Sequence, residues 1–381
     1  MKQLRILVFS AGFGNGHLRA AEAMIEGIRS KEPYAEIIHL DFGDLLSKRF
    51  NTMAKNFYME MIKYTPKLWG KFYYKTASLQ PDLMIQRFLR QLGRGDFLKY
   101  IQAFAPDLIV CTYPTVSSIL AQLRLEQILQ VPVITIITDY TVHSHWVHPG
   151  VDRYMVACEE VKESLVSWGI KTSCIFVTGI PVSPKFEVER ARGPILSKLS
   201  LNPDLPTFLV MGGPYGKSAK RICETLANSP VPVQTIVVCG KNKKLYHSLG
   251  AVAQHSLNPL VLLEYVHNVE ELMTVSNLII TKAGGLTVSE ALTKRLPLVI
   301  YQAIPGQEEA NAHFVQHVGA GCIAGTEEEL EWILKRLLNN PREIAKMREK
   351  AALAVPGHST RGIVENIVQL TMTLKNAQKI G

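Results

Sequence analysis

The chain has 381 residues, 47% of them hydrophobic, and carries a net charge of +9 from 42 Lys and Arg against 33 Asp and Glu. This composition excludes a disordered or low-complexity chain, and the length predicts two domains of ordinary size. Apolar stretches such as DLIVC and VPVITII are far shorter than the ~20 residues that cross a bilayer, so no transmembrane helix is expected. The first apolar run leads directly into a glycine loop, which predicts a strand rather than a signal peptide. The six scattered Cys lack a CxxC pair and are expected to be reduced in a cytosolic protein.

Strand, glycine-bearing turn and helix alternate along the chain. Short Val- and Ile-rich runs such as LRILVF, EIIHLD and VPVITIITD are separated by helical stretches such as HLRAAEAMIEGIRSK. This alternation predicts an α/β protein whose parallel sheets are covered on both faces. A proline-rich linker is expected at about 179–194, after which the pattern restarts with TFLVMGG. We therefore predict two doubly wound, Rossmann-like domains facing across a cleft, 1–182 and 183–381, with a last helix that can cross back to the first domain.

The first glycine loop, Gly12-Phe13-Gly14-Asn15-Gly16-His17, resembles a dinucleotide-binding fingerprint, with Asp41 in the place of the ribose-binding acid. The fingerprint is broken because His17 stands where the third glycine is needed, so an NAD enzyme is disfavoured. One alternative is a tight turn with an incidental histidine. The other, which we favour, is that His17 acts as a general base, since it opens a helix above the sheet.

The second loop, Gly212-Gly213-Pro214-Tyr215-Gly216-Lys217-Ser218, is one residue short of a P-loop because Met211 occupies the position of the first glycine. It could still hold a diphosphate against its glycines and the following helix N-terminus. A plain strand-to-helix turn explains the same residues.

The third loop, ITKAGGLTVSEAL, is the most informative of the four. Gly284 and Gly285 permit close approach of a ligand to the backbone, and Thr287 and Ser289 are predicted to cap the helix. Glu290 is predicted in the first helical turn, where it either stabilises the helix dipole or accepts hydrogen bonds from a ribose.

The fourth loop, from Pro305 to Asn311, concentrates polar donors and acceptors after the strand LPLVIY. It suits the hydroxyls of a sugar, and a solvated loop is the alternative. No DxD triplet is present, so the sequence lacks the usual motif that binds the divalent cation of a nucleotide diphosphate. The cluster TDYTVHSHWVH also lacks zinc-site spacing, which favours acceptor or active-site contacts for Asp139 and His143.

Residues 48–94 hold ten Lys and Arg, two acids and nine aromatic side chains, a net charge of +8. An anionic membrane and a nucleic acid are the two partners that such a segment suggests. The rest of the chain is nearly balanced, which argues against a role in binding nucleic acid. The alternative to membrane binding is a pair of partly buried amphipathic helices with a solvated charged face.

Six motifs occur in order across nearly the whole chain: GNGH, TDYTVHSHWVH, GIPVSPKF, VVCGKN, ITKAGGLTVSEA and PGQEEAN. Together they resemble the processive diacylglycerol glucosyltransferases of Gram-positive bacteria and the monogalactosyldiacylglycerol synthases of plastids, which belong to glycosyltransferase family 28 and have the GT-B fold. The resemblance implies an inverting, cofactor-free transfer of a hexose from UDP-glucose or UDP-galactose to diacylglycerol or a related lipid. Because diacylglycerol lies in the bilayer, we expect a cytoplasmic enzyme, peripheral on the inner face of the cell membrane. The charge and aromatic content of residues 48–94 predict that this segment makes the attachment. The alternative is a soluble GT-B enzyme acting on UDP-N-acetylglucosamine or another acceptor, either a small-molecule transferase or an epimerase.

The resemblance also assigns roles to individual residues, with the lipid acceptor in the N-terminal domain and the UDP-sugar in the C-terminal domain. His17 becomes the candidate catalytic base, with Asp139 as its rival. The acceptor side comprises Gly14, Asn15, Gly16 and His143. The donor side comprises Gly212, Gly213, Val266, Gly284, Gly285, Leu286, Thr287, Glu290, Gln307, Glu308 and Asn311. Glu264 departs from the family pattern, which commonly has glycine before the Tyr265-Val266 pair where the uracil packs.

Overall fold

The computed structural model describes residues 3–12, 15–45, 60–61, 64–77, 94–212 and 217–380. Gly14, Gly213 and most of the basic segment 48–94 lie outside the described residues. The chain divides into two compact units. The first unit contains Met1–Pro184, Pro305–Gln307 and His358–Gly381, and the second contains Lys185–Ile304 and Glu308–Gly357. Across the described helices, none combines the length and the apolar character needed to cross a bilayer.

The first unit is built on a six-stranded parallel sheet with the strand order β2-β1-β3-β4-β5-β6. Its strands are β1 (Arg5–Ser10), β2 (Glu36–Asp41), β3 (Leu108–Cys111), β4 (Val133–Ile136), β5 (Arg153–Val156) and β6 (Ile175–Val177). Its helices begin with α1 (Asn15–Lys31), α2 (Phe42–Leu45), α3 (Pro66–Ala77), α4 (Arg94–Phe104), α5 (Pro114–Leu125) and α6 (Glu159–Ser167). Strands β3 and β4 are buried at every position, as continuous apolar runs require of central parallel strands.

The second unit contains another six-stranded parallel sheet, in the order β12-β11-β10-β7-β8-β9. Its strands are β7 (Thr207–Val210), β8 (Gln234–Val238), β9 (Leu260–Leu263), β10 (Leu278–Thr281), β11 (Leu298–Tyr301) and β12 (Gly321–Ala324). The helices in this part of the chain are α7 (Pro184–Glu187), α8 (Arg192–Lys198), α9 (Lys217–Ala227), α10 (Lys243–Gln254), α11 (Val269–Val275), α12 (Gly285–Thr293), α13 (Gln307–His317), α14 (Glu327–Asn339) and α15 (Pro341–Ala354). The sequence did not predict β12, whose four residues GCIA form too short an apolar run to stand out. The segment expected to be a linker contains α7 and the start of α8.

The last helix, α16 (Ser359–Ile380), belongs to the first unit and contributes to its core. Its residues Ile363 and Ile367 are fully buried in one cluster with Ile6 of β1 and Met24 of α1. A side chain at Gly27 would collide with Thr360, so glycine lets α1 and α16 approach closely. Burial of apolar side chains at ~25 cal/mol per Å² holds this helix in place.

The strand orders place the loops that matter for ligand binding. In a doubly wound sheet, ligands bind beyond the carboxyl ends of the strands where the strand order reverses. That position lies between β1 and β3 in the first unit and between β7 and β10 in the second. The predicted loops at His17, Gly212 and Gly284 follow β1, β7 and β10 respectively. The predicted class, two Rossmann-like doubly wound sheets, is therefore confirmed.

Candidate active site

A cavity of about 200 Å³ opens in the first unit at the carboxyl end of its sheet. Its polar lining includes His17, Asp139, Thr141, His143, His145 and Gln307. Its aromatic lining consists of Trp69, Phe72, Tyr73, Tyr113 and Trp146. The cavity thus brings together four residues that the sequence had singled out at distant positions, two of them the rival candidates for the base. Its aromatic walls suit a partly apolar ligand.

His17 stands in the first turn of α1 and is held by residues that follow two other strands. The Thr112 hydroxyl, just after β3, donates to the backbone carbonyl of His17 at 2.9 Å. Thr138 follows β4, and its hydroxyl oxygen lies 2.9 Å from Nδ1 of the His17 ring. The ring of Tyr113 packs edge-on against the imidazole, with the two centroids 5.3 Å apart. The imidazole is therefore fixed in both position and orientation.

Burial lowers the pKa of His17 to about 4, and a hydrogen bond with the Thr112 backbone opposes this shift without cancelling it. The ring is consequently neutral at pH 7, and a neutral imidazole can accept a proton. Asp139 lines the same cavity. Both candidate bases therefore reach the same space, and the choice between them stays a prediction.

His143 helps to hold the cavity wall as well as lining it. Its Nδ1 accepts the backbone N–H of His145 at 3.2 Å, and its Nε2 lies 3.2 Å from the Thr76 hydroxyl oxygen. The Thr76 hydroxyl donates to the backbone of its own helix, so its oxygen accepts the Nε2 proton of His143. Ser144 donates to the Thr76 carbonyl at 3.1 Å. His143 and Ser144 thereby anchor the last turn of α3.

Two glycines allow α3 to pack on the loop at Pro305. A side chain at Gly70 would collide with Pro305, and a Cβ at Gly306 would lie 3.0 Å from the Tyr73 ring. Gly306 also has a φ of +106°, a conformation that favours glycine. This packing brings Gln307, expected on the donor side, to the cavity lined by His17.

The exposed side of α3 carries both charge and apolar surface, and its Phe72 also lines the cavity. Lys67, Lys71 and Lys75 are exposed at intervals of four residues, which places them along one stripe of the helix. Between them, Leu68 is 60% exposed and Phe72 is 53% exposed. One helix therefore forms a wall of the cavity and presents a basic, partly apolar surface to solvent.

On the second unit, the predicted diphosphate loop forms the N-terminus of α12. Gly284 is the N-cap residue, in an extended conformation and without a side-chain capping hydrogen bond, and the helix begins at Gly285. Leu286 and Thr287 complete the first turn. The first N–H groups of such a helix point outward with a partial positive charge, which favours an anion. A side chain at Gly284 would meet nothing within 4 Å, so its glycine leaves open space at this end of the helix.

Two details predicted for this helix are wrong. Thr287 and Ser289 do not cap it, because both lie inside the helix, and the Ser289 hydroxyl donates to the Gly285 carbonyl at 2.8 Å. Glu290 lies in the second turn and not the first, since α12 begins only at Gly285. The helix dipole therefore does not account for this buried carboxylate.

The other predicted donor residues occupy different environments in the second unit. The Asn311 side chain is completely buried and donates to the Ala283 carbonyl at 3.0 Å, which supports the loop before Gly284. Glu308 accepts the backbone N–H of Ile304 at 3.0 Å, and burial raises the pKa of its carboxyl. Gly212 is buried after β7, and Val266 lies half-buried in the loop after β9. On the acceptor side, Asn15 and Gly16 begin α1 next to His17.

The buried histidines predict a loss of stability in acid. Burial lowers the pKa of His143 to about 4, with its neighbour His145 contributing. The unfolded chain, with a histidine pKa near 6.5, therefore binds more protons than the folded chain between pH 6.5 and 4. The free energy of unfolding should fall as the pH drops through this window, by about 2 kcal/mol per histidine between pH 7 and 5. Urea unfolding of wild type and His143→Gln at both pH values measures this difference.

The variant should lose less stability than wild type over the same interval, because it lacks one of the titrating groups. Replacement of the exposed His255 by glutamine is the matched control. Equal pH dependence of wild type and His143→Gln would contradict the prediction.

Comparison with known proteins identifies the relatives of this chain. Residues 17–182 match the family Monogalactosyldiacylglycerol (MGDG) synthase, and residues 209–363 match the Glycosyltransferase family 28 C-terminal domain. A processive diacylglycerol beta-glucosyltransferase of Bacillus pumilus is 30% identical over 98% of this chain and 96% of its own length. The enzyme with the same name from Staphylococcus saprophyticus is 33% identical over 96% of this chain and 93% of its own.

Solved structures share the architecture at much lower identity. Acinetobacter baumannii MurG superposes with a TM-score of 0.63 at 15% identity, covering 96% of this chain and 99% of its own. The Neisseria meningitidis UDP-GlcNAc 2-epimerase superposes with a TM-score of 0.58 at 14% identity, covering 96% of this chain and 100% of its own. A shared fold does not fix the reaction, so the class of enzyme is taken from the sequence relatives and not from these superpositions.

The fold is GT-B, and the enzyme is a UDP-sugar-dependent glycosyltransferase. The chain belongs to glycosyltransferase family 28, together with the processive diacylglycerol glucosyltransferases that it matches over nearly its whole length. The predicted family and fold are confirmed.

Proposed function

We propose that this enzyme transfers a hexose, with inversion, from a UDP-sugar to the free hydroxyl of diacylglycerol. The relatives named processive diacylglycerol beta-glucosyltransferases support diacylglycerol as the acceptor and a hexose as the transferred group. The observation that carries the proposal is the aromatic-walled cavity that holds His17 and Asp139 together. Its walls suit the glycerol backbone and the first methylene groups of a lipid, while its two polar groups suit the reacting hydroxyl.

The chemistry follows from these groups. The lipid hydroxyl oxygen attacks the anomeric carbon from the face opposite UDP, and neutral His17 takes the hydroxyl proton. A new glycosidic bond forms with inverted configuration while the bond from the anomeric carbon to the diphosphate breaks, and UDP leaves with the electron pair. The N-terminus of α12, at Gly284 and Gly285, stabilises the negative charge that develops on the diphosphate.

We assign the ribose of the donor to Glu290, which is buried in the second turn of α12, the helix that begins at Gly285. Replacement of Glu290 by alanine should weaken UDP binding by about 1.5–3 kcal/mol, roughly 10- to 150-fold in Kd, because a hydrogen bond to a charged acceptor is lost. Calorimetric titration with UDP measures the change. Glu270→Ala, which also removes a buried carboxylate from the second unit, is the control for general destabilisation. Unchanged affinity in a folded Glu290 variant would remove this assignment.

We further propose that the enzyme binds the anionic inner surface of the membrane as a peripheral protein. The exposed side of α3 supports this, since it combines Lys67, Lys71 and Lys75 with Leu68 and Phe72. Lysines near an anionic surface are attracted to it, and their apolar neighbours can enter the headgroup region. Because α3 also lines the cavity, an acceptor could reach His17 without leaving the interface.

Product analysis tests the proposed reaction. The purified enzyme is incubated with labelled UDP-glucose, UDP-galactose or UDP-N-acetylglucosamine and diacylglycerol in phosphatidylglycerol vesicles. We expect one donor to yield a glycosyl diacylglycerol whose anomeric proton coupling shows inversion. Retention of configuration, transfer only to soluble acceptors, or formation of a sugar epimer would overturn the proposal.

A further inference from the structure

Thr138 is the first residue of the motif TDYTVHSHWVH, of which only Asp139 and His143 were assigned roles from the sequence. It follows β4 and directly precedes Asp139, and its side chain is buried. Its hydroxyl oxygen lies 2.9 Å from Nδ1 of His17, although the two residues are 121 positions apart in the chain. The adjacency of β1, β3 and β4 in the sheet creates this contact.

The direction of this hydrogen bond decides what the imidazole can do. A neutral imidazole carries one N–H and one lone pair, and the partner of one nitrogen determines which nitrogen holds the proton. If Nδ1–H donates to the Thr138 oxygen, the Nε2 lone pair is left to accept a proton. If the Thr138 hydroxyl donates to Nδ1, the proton lies on Nε2, and that nitrogen cannot act as a base.

Other contacts also hold the backbone and the side chain of His17 in place. The Thr112 hydroxyl holds its backbone carbonyl, and the rings of Tyr113 and Trp146 lie 5.3 and 6.2 Å from the imidazole, measured between centroids. The Thr138 oxygen on Nδ1 is the side-chain contact that bears on which ring nitrogen is protonated, and the hydrogen bond with the Thr112 backbone acts beside it.

We propose that Thr138 is a positioning residue that accepts the Nδ1 proton of His17 and so keeps the Nε2 lone pair available as the general base. The inference rests on the proposed function, in which His17 takes the proton of the acceptor hydroxyl. Thr138 itself does not need to touch the substrate. It performs the role that the orienting partner of a catalytic histidine performs in other enzymes.

Substitution of Thr138 by valine keeps the shape of the side chain and removes its oxygen. We expect kcat to fall by ~10–100-fold, with little change in KM for the UDP-sugar, because the fraction of His17 in the productive state falls. Thr138→Ser restores the oxygen and should recover most of the turnover. Thr178→Val, which removes a hydroxyl buried elsewhere in the first unit, is the control for lost stability.

Nitrogen-15 NMR of histidine-labelled enzyme, without substrates, tests the inference independently of the reaction. The His17 ring signals are assigned by their loss in His17→Gln. We expect a protonated Nδ1 and an unprotonated Nε2 in wild type and Thr138→Ser, and a mixture of the two states in Thr138→Val. A proton on Nε2 in wild type would overturn the inference, as would an unchanged ring state and turnover in Thr138→Val. If the wild-type enzyme transfers no sugar to diacylglycerol, the proposed function fails. The NMR measurement still shows whether Thr138 determines which nitrogen of His17 is protonated.

Discussion

Replacement of His17 by alanine is expected to reduce kcat by ~10²–10⁴-fold, the contribution of a positioned general base. UDP affinity should remain nearly unchanged, because the residues assigned to the diphosphate and the ribose lie on the second unit. The measurement is steady-state transfer to diacylglycerol in mixed vesicles, together with calorimetric titration of UDP. The pH profile adds a second readout. Since burial lowers the pKa of His17 to about 4, kcat/KM should stay level down to about pH 5 and decline only near pH 4.

The rival base requires a parallel experiment. Asp139→Asn keeps the size of the side chain and removes its charge, so its effect on kcat can be compared directly with that of His17→Ala. His255→Ala, a change at an exposed histidine of the second unit, is the control for the loss of any histidine. Near-normal turnover of the His17 variant, with a severe loss in Asp139→Asn, would transfer the role of base to Asp139.

Substitution of Lys67, Lys71 and Lys75 by glutamate is expected to reduce binding to anionic vesicles by at least ~10²-fold. Each lysine near an anionic surface contributes ~1 kcal/mol, so removal of three costs about 3 kcal/mol, and the three new negative charges add repulsion. The attraction is largely Coulombic, so wild-type binding should also weaken as added salt shortens the Debye length from ~10 Å at 0.1 M. Co-sedimentation with vesicles, with and without phosphatidylglycerol, measures both effects.

A matched control separates a local surface from total charge. Lys335, Lys346 and Lys350 are exposed on α14 and α15 of the second unit, and their change to glutamate alters the net charge by the same amount. This control should retain most of the binding to anionic vesicles. If the two triple variants bind equally well, the exposed side of α3 is an ordinary solvated surface and the membrane proposal fails.

The sequence predicted most of the elements and the residue types of the site. Its Val- and Ile-rich runs identified eleven of the twelve strands that the structure describes, because burial in a parallel sheet demands continuous apolar runs that are visible locally. The glycine loops were located after β1, β7 and β10 for a similar reason, since tight turns and helix starts leave a local signature. His17 and Asp139 stood out as titratable residues directly after strands.

Local sequence patterns predicted the presence of a helix better than the residue at which it begins. The motif GGLTVSEA indicated a helix, but Thr287 and Ser289 were taken for its caps, whereas the helix begins at Gly285. Side chains that can cap a helix also occur inside one, where Ser289 bonds back to the preceding turn. The same one-turn error misplaced Glu290 relative to the helix dipole.

By itself, the sequence determined the two doubly wound sheets, the family and the candidate base, because each depends on short-range patterns or on ordered motifs. Only the tertiary structure decided which side chains meet around that base. The contact of Thr138 with His17, the anchoring of α3 by His143 and the position of Gln307 at the cavity all join residues far apart in the chain. Such contacts depend on which strands are neighbours in the sheet and on how closely glycines such as Gly70 and Gly306 let backbones approach. Neither property is encoded in the residues adjacent to the contact, so sequence spacing could not reveal them.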